Sequence, residues 1–278
     1  VSSNRPPRPG AGGLFRAGIA LFGLVLLAGA APTRALEPGE FDPAPWDALL
    51  HTYVTDGRVD YAAWKADGTG ALDAFLEAAG GYDLTSTLGK EPRAAFLVNA
   101  YNAFAIRQIL DHYPVGSVKE IPGFLDKNAI RIAGEERTLD GIKAALGKLL
   151  PTQPSYAFLI VPGTSGWPPL PGAALSSGNY RKSVDNARKE MVLGGHVYLD
   201  EKANVLHLPA QITDYIEVYD ALPKGLVGFL SGELPLSQVV AISARQPERV
   251  TDPVDWTLND VKAADAPADP GDEGEGGQ

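Results

Sequence analysis

The stretch PGTSGWPPL, residues 162–170, places Ser165 in a glycine- and proline-rich loop, the kind of setting that exposes a nucleophile. A nucleophile elbow needs glycine at both ends of G-x-S-x-G, and here Gly163 is present but Trp167 stands at the other end. The loop could instead cradle an anion, yet no Lys or Arg follows it until Arg181, so a structural turn is the plainer reading. Asp214, Glu217 and Asp220 are spaced three apart and share one helical face. Such carboxylates can serve glycoside hydrolysis, and more often are simply solvated. The four histidines are His51, His112, His196 and His207; a hairpin turning near Glu201 to Ala203 brings His196 and His207 toward one another as weak metal candidates, with Asp214 or Glu217 as a third ligand. No recognised metal spacing is present, and the expectation is no metal and no cofactor. The remaining oddity is AFLVNAYNAFAIRQIL, residues 95–110, an apolar run carrying Asn99 and Asn102.

At 100° per residue, Asn99 and Asn102 fall on one stripe with Val98, Ile106, Ile109, Leu110 and Tyr113, while Arg107, Gln108, Asp111 and His112 take the opposite side. Two amides therefore face the core. An unsatisfied polar group there costs about 1–3 kcal/mol, so both need partners. Either they tie down the backbone of a neighbouring loop that lacks a sheet, or they line a pocket with Ser165 and Trp167.

The elements around these residues follow from periodicity and punctuation. Helices are expected from Trp46 through Tyr53, from about Gly70 to Ala79, across the 95–110 stretch, from a cap at Thr138 or Asp140, from Asn179 to about Leu193, and near Ile212 to Tyr219. AIRIAGEERTL reads as a short hairpin, SYAFLIVP as a buried strand over 156–161, and HVYLDEKANVLHLP as a hairpin over 196–208. Helices and strands interleave without regular alternation, which predicts a single α+β mixed domain with a helix-rich N-terminal half and a small sheet.

The chain has 278 residues, a net charge of −10 and no cysteine. The missing cysteine excludes disulfides, thiolate metal sites and a cysteine nucleophile. Arg5, Arg8 and Arg16 precede an apolar stretch from Ala17 to Ala31 followed by small residues, the order of a signal peptide over 1–35 cleaved between Ala30 and Ala35. That implies a periplasmic or secreted protein with no membrane span in the mature chain. Residues 1–35 hold four arginines and no acid, so without them the net charge would be about −14, which makes nucleic acid an unsuitable partner. From Ala263 the composition turns to Ala, Pro, Gly, Asp and Glu, predicting a disordered acidic tail over 263–278 after a domain at 36–262.

AFLVNAYNAFAIRQIL resembles the hallmark helix of the uncharacterised DUF547 family, and YVTDGRVDYAAW, YPVGSVKEI, the PPL loop, NVLHLP and DWTLN match its other segments in order across 46–259. Typical members carry a histidine and two cysteines around the loop and a glutamate upstream; here Ala157, Pro162, Trp167 and Lys143 occupy those positions. The resemblance thus implies the fold, and implies that any Cys/His chemistry of the family is absent. The leading expectation is a non-catalytic binding or envelope-associated module whose partner is an unknown small molecule or envelope protein. The alternative is a cysteine-independent hydrolase or transferase with a pocket between the Asn99/Asn102 helix and the 162–170 loop.

Overall fold

A computed structural model describes residues 36, 38–86 and 89–264. The predicted leader and residues 265–278 of the predicted tail lie outside them. The last turn described, Val261–Ala264, passes the expected boundary at 262 by two residues.

Pro45 in the first turn suits α1 (Ala44–Tyr53), which turns Trp46, Leu49 and Leu50 inward. Strands β1 (Val54–Thr55) and β2 (Arg58–Val59) form a hairpin whose turn residues, Asp56 and Gly57, both have positive φ, as a two-residue turn of this type requires. Asp60 then caps α2 (Tyr61–Ala63) by accepting from the Ala63 N–H, and the chain winds through a π-helical turn, Trp64–Gly68, into α3 (Thr69–Gly81).

The centre of the domain is α4 (Lys90–His112), about 35 Å long at 1.5 Å per residue. Every residue from Ala94 to Ile106 is buried, so the helix is encased rather than two-sided. Gln108, expected on the solvent side, is buried too: its amide donates to Phe124 O and its oxygen accepts from Asn128. Around α4 pack α3, then α5 (Leu139–Leu149) and α6 (Tyr180–Met191). Ahead of α5, the strands β3 (Ile130–Ile132) and β4 (Glu135–Arg137) form the expected hairpin, and Thr138 caps α5 through the Gly141 N–H.

Beyond α6 a second π-helical turn, Val192–His196, leads to β5 (Tyr198–Asp200) and β6 (Val205–Leu208), the expected hairpin. Four short helices follow: α7 (Ala210–Thr213), α8 (Ile216–Asp220), α9 (Gly225–Leu230) and α10 (Leu236–Arg245). The single helix expected near Ile212–Tyr219 is thus two. β7 (Glu248–Thr251) then returns parallel to β6, completing a three-stranded sheet.

The strand expected over 156–161 is not formed. Pro154–Phe158 is a tight 3-10 turn, and the residues after it run irregularly to an isolated bridge between Thr164 and Leu258. The run is buried throughout, as its composition demands, but burial alone does not distinguish a strand from other buried backbone. Its missing sheet partner is a side chain. Asn102 Nδ2 donates to Leu159 O at 2.9 Å and its Oδ1 accepts from Val161 N–H at 2.8 Å, the spacing at which an adjacent strand would bond the same backbone. Asn99 does likewise for Leu175, donating to its carbonyl at 2.8 Å and accepting from its N–H at 3.0 Å. Two amides one helical turn apart therefore hold both ends of the segment from Leu159 to Leu175.

Asn102→Leu should leave a buried N–H and a buried C=O unpaired and cost roughly 3 kcal/mol in urea unfolding. Asn102→Asp should recover little, because a carboxylate cannot donate to Leu159 O. A loss under 1 kcal/mol for both variants would show that the loop does not depend on the amide.

Candidate functional site

Residues 255–260 organise the loop from its other side. Ser165 N–H donates to Thr257 O, Gly166 N–H to Asp255 O and Asn259 N–H to Gly163 O, while Asn259 O accepts from Val59 N–H and Leu258 N–H donates to Gly116 O. This strap thus joins the β2 strand, the turn at Gly116 and the loop. Gly166 is required at the crossing, since a Cβ there would lie 2.5 Å from Asp255 N. Side chains reinforce the strap: Tyr61 donates to Asn259 Oδ1 at 2.8 Å and Tyr113 to Asp260 Oδ2 at 2.7 Å.

The β1–β2 turn meets the loop face to face. Gly57, at φ +76°, has no room for a side chain, because a Cβ would stand 2.2 Å from Pro169 Cβ. A hollow lies on each side of this contact. The smaller, about 150 Å³, is walled by Asp56, Arg58, Thr164, Ser165, Trp167 and Asn259. The larger, about 550 Å³, runs between Leu159, Leu170 and the α6 residues Ser183, Asn186 and Glu190.

Of the four residues expected to share a pocket, Ser165 and Trp167 line the smaller hollow. Asn99 and Asn102, each 3% exposed, do not; their oxygens and one N–H each are bonded to backbone, and they shape the walls from behind. Ser165 Oγ donates to Leu258 O at 3.0 Å, so its proton is engaged by a carbonyl rather than by a base. Thr164 Oγ1 and Trp167 Nε1 are shielded from solvent and have no hydrogen-bond partner among the described residues. Among the described residues the Arg58 side chain forms no ion pair, and its guanidinium donates to Asp260 O at 3.4 Å. Arg58, Thr164 and Asn259 are wall residues that sequence reasoning missed; the segments YVTDGRVDY and DWTLN named the neighbourhood, but nothing local pairs them.

His196 and His207 do not face each other across the hairpin. The register pairs His207 with Tyr198, whose ring stacks on it at 4.3 Å, and His207 Nδ1 bonds Asp252 Oδ1 at 2.6 Å. Among the described residues no group of three His, Cys, Asp or Glu side chains is placed to hold a metal. Asp214 is paired with Lys143 at 3.0 Å and Asp220 with Arg249 at 2.6 Å, so these acids tie elements together. Lys143, standing where the family resemblance places a glutamate, also lies over the Tyr215 ring, whose hydroxyl accepts from Tyr156.

Residues 85–192, from the turn before α4 to just past α6, match the model of a family described as Protein of unknown function, DUF547. By fold the described unit is an α+β domain, and the matched stretch contains the helix that resembles the hallmark helix of this family. No curated protein and no solved structure matches the chain. No helix among the described residues is long and apolar enough to cross a membrane.

The strap also sets a pH dependence. Burial first, then the hydrogen bond to Asp260, push the Tyr113 hydroxyl up to about 12. An unfolded tyrosine titrates near 10, so the folded chain holds this proton more tightly; the stabilisation is complete below pH 10 and is lost as pH climbs toward 12. Tyr113→Phe should lower stability by about 2 kcal/mol at pH 8 and flatten its decline between pH 10 and 12 by roughly 1 kcal/mol per pH unit. Urea titrations across that range measure both, and an unchanged alkaline slope would remove Tyr113 from the strap's energetics.

Proposed function

We propose that this chain is an exported, non-catalytic binding module of DUF547 type whose ligand occupies the small hollow beside Trp167. One observation carries the reading: three distant segments, 56–58, 164–169 and 259, converge on one cavity, while the Ser165 hydroxyl in its wall is tied to a carbonyl. The loss of the resembled family's histidine and cysteines at Ala157, Pro162 and Trp167 favours binding over turnover. Export rests on the basic, apolar and small-residue order of residues 1–35. An envelope ligand, soluble or protein-borne, suits an acidic chain that offers nucleic acid no basic footprint.

A screen of small acids, amides, amines, sugars and short peptides tests this. A true ligand at a hundredfold excess over its Kd should raise Tm by roughly 5 °C, and Trp167→Ala should abolish that rise. Chemical conversion of a bound compound that disappears in Ser165→Ala would replace the binding module with an enzyme. Export is read separately, by fractionating bacteria that express the chain with a C-terminal reporter: retention in the cytoplasm refutes it.

A further inference from the structure

We infer that α8, α9 and α10, residues 216–245, form a cover that opens as one unit while the rest of the domain stays folded, because the seam beneath it is under-bonded. The inference is independent of the hollow beside Trp167.

Topology supplies the hinges. The chain leaves β6 at Leu208 and re-enters the same sheet at Glu248 in the neighbouring strand, where Glu248 N–H donates to Asn204 O and Asp252 N–H to Leu208 O. Both ends of the excursion are pinned to one ladder, so the helices between them can move without breaking it. Ahead of the cover, the Asp214–Lys143 pair fixes α7 to α5. Behind it, Gln246 takes a left-handed backbone at φ +46°, costly for a residue with a side chain, and Pro247 follows. Within the cover, α8, α9 and α10 pack most closely on one another rather than on the helices around α4.

The seam is polar and incompletely paired. Arg188 of α6 meets Glu233, between α9 and α10, through Nη2 to Oε1 at 2.9 Å; its Nη1 donates to Phe229 O at 3.4 Å and its guanidinium lies over the Phe229 ring. Arg188 Nε and Glu233 Oε2 have no hydrogen-bond partner among the described residues, nor has the hydroxyl of Tyr219. All three atoms are sealed from solvent, with no room for a water beside them. A buried ion pair bonded at one point, next to an orphaned hydroxyl, gains little from docking and recovers its hydration on opening. Apolar contact opposes that release: Phe229 lies parallel to Phe158 with ring centres 6.2 Å apart, and Leu226 and Leu230 are buried. The Asp220–Arg249 and Glu201–Arg245 pairs at the ends of the cover are exposed and add little. Opening turns Phe158 and Arg188 into surface.

Native-state hydrogen exchange of the full chain, read by mass spectrometry at rising sub-denaturing urea, tests this. Amides of α8, α9 and α10 should exchange through a common opening with one urea dependence, about tenfold or more less protected than residues 94–106 of α4. Tyr219→Phe, which removes the orphaned hydroxyl, should slow that exchange about threefold, and the pair Arg188→Met with Glu233→Met should slow it at least as much. Amides of α4 should slow by the same factor, since a tighter seam stabilises the closed state against full unfolding as well. Equal protection of 216–245 and 94–106 overturns the inference, and so do unlike urea dependences among the three helices. Unchanged or faster exchange in Tyr219→Phe removes the under-bonded seam as the cause and overturns it too. Should the double variant not fold, Tyr219→Phe decides alone.

Discussion

An amide side chain carries the same donor and acceptor as a peptide group, and at two places in this domain it is used as one. Asn99 and Asn102 project from α4, the most enclosed helix among the described residues, and hydrogen-bond backbone that has no neighbouring strand. The Leu159 to Leu175 segment can therefore be both irregular and buried, a combination that otherwise strands polar groups in the core. Its course in turn decides where Thr164, Ser165 and Trp167 stand. A local sheet would have satisfied the same groups while flattening the loop; two point contacts on a rigid helix leave it curved.

The strap at 255–260 closes the other side of that loop by backbone bonds. It reaches three places far apart in sequence, and its own side chains are held by Tyr61 and Tyr113 from α2 and the end of α4. Loop, turn and strap are thus positioned by rigid elements, which is the condition for a defined cavity on an otherwise irregular surface. The charged side chains once grouped by helical spacing serve a different purpose: Asp214 and Asp220 pair with Lys143 and Arg249, joining α7 and α8 to α5 and β7.

Local signals were legible where local physics decides the outcome. The helix start at Thr138 or Asp140 and the 196–208 hairpin both follow from residues within a few positions of one another. Inward-facing amides were legible too, and so was their need for partners. What periodicity could not supply was the identity of those partners, because Leu159, Val161 and Leu175 offer only backbone. The same blindness produced the strand at 156–161: an apolar run announces burial, and the turn begun at Pro154 with an amide 50-odd residues away decided its shape. Arg58, Thr164 and Asn259 share a wall only through the strap, and no spacing in the sequence announces that.

Because the strap lies near residue 260 and its partners begin at Val59, the cavity has a place in time as well as in space. A chain emerging from its N-terminus forms the β1–β2 hairpin early and must wait for some 200 further residues before the last wall arrives. Loop-closure entropy over such a separation puts this step late in folding. Until then the donors of Val59, Ser165 and Gly166 are open to water or to a wrong partner. The hollow is accordingly the final part of the domain to close, and a polypeptide shortened before Asp255 would lack its last wall.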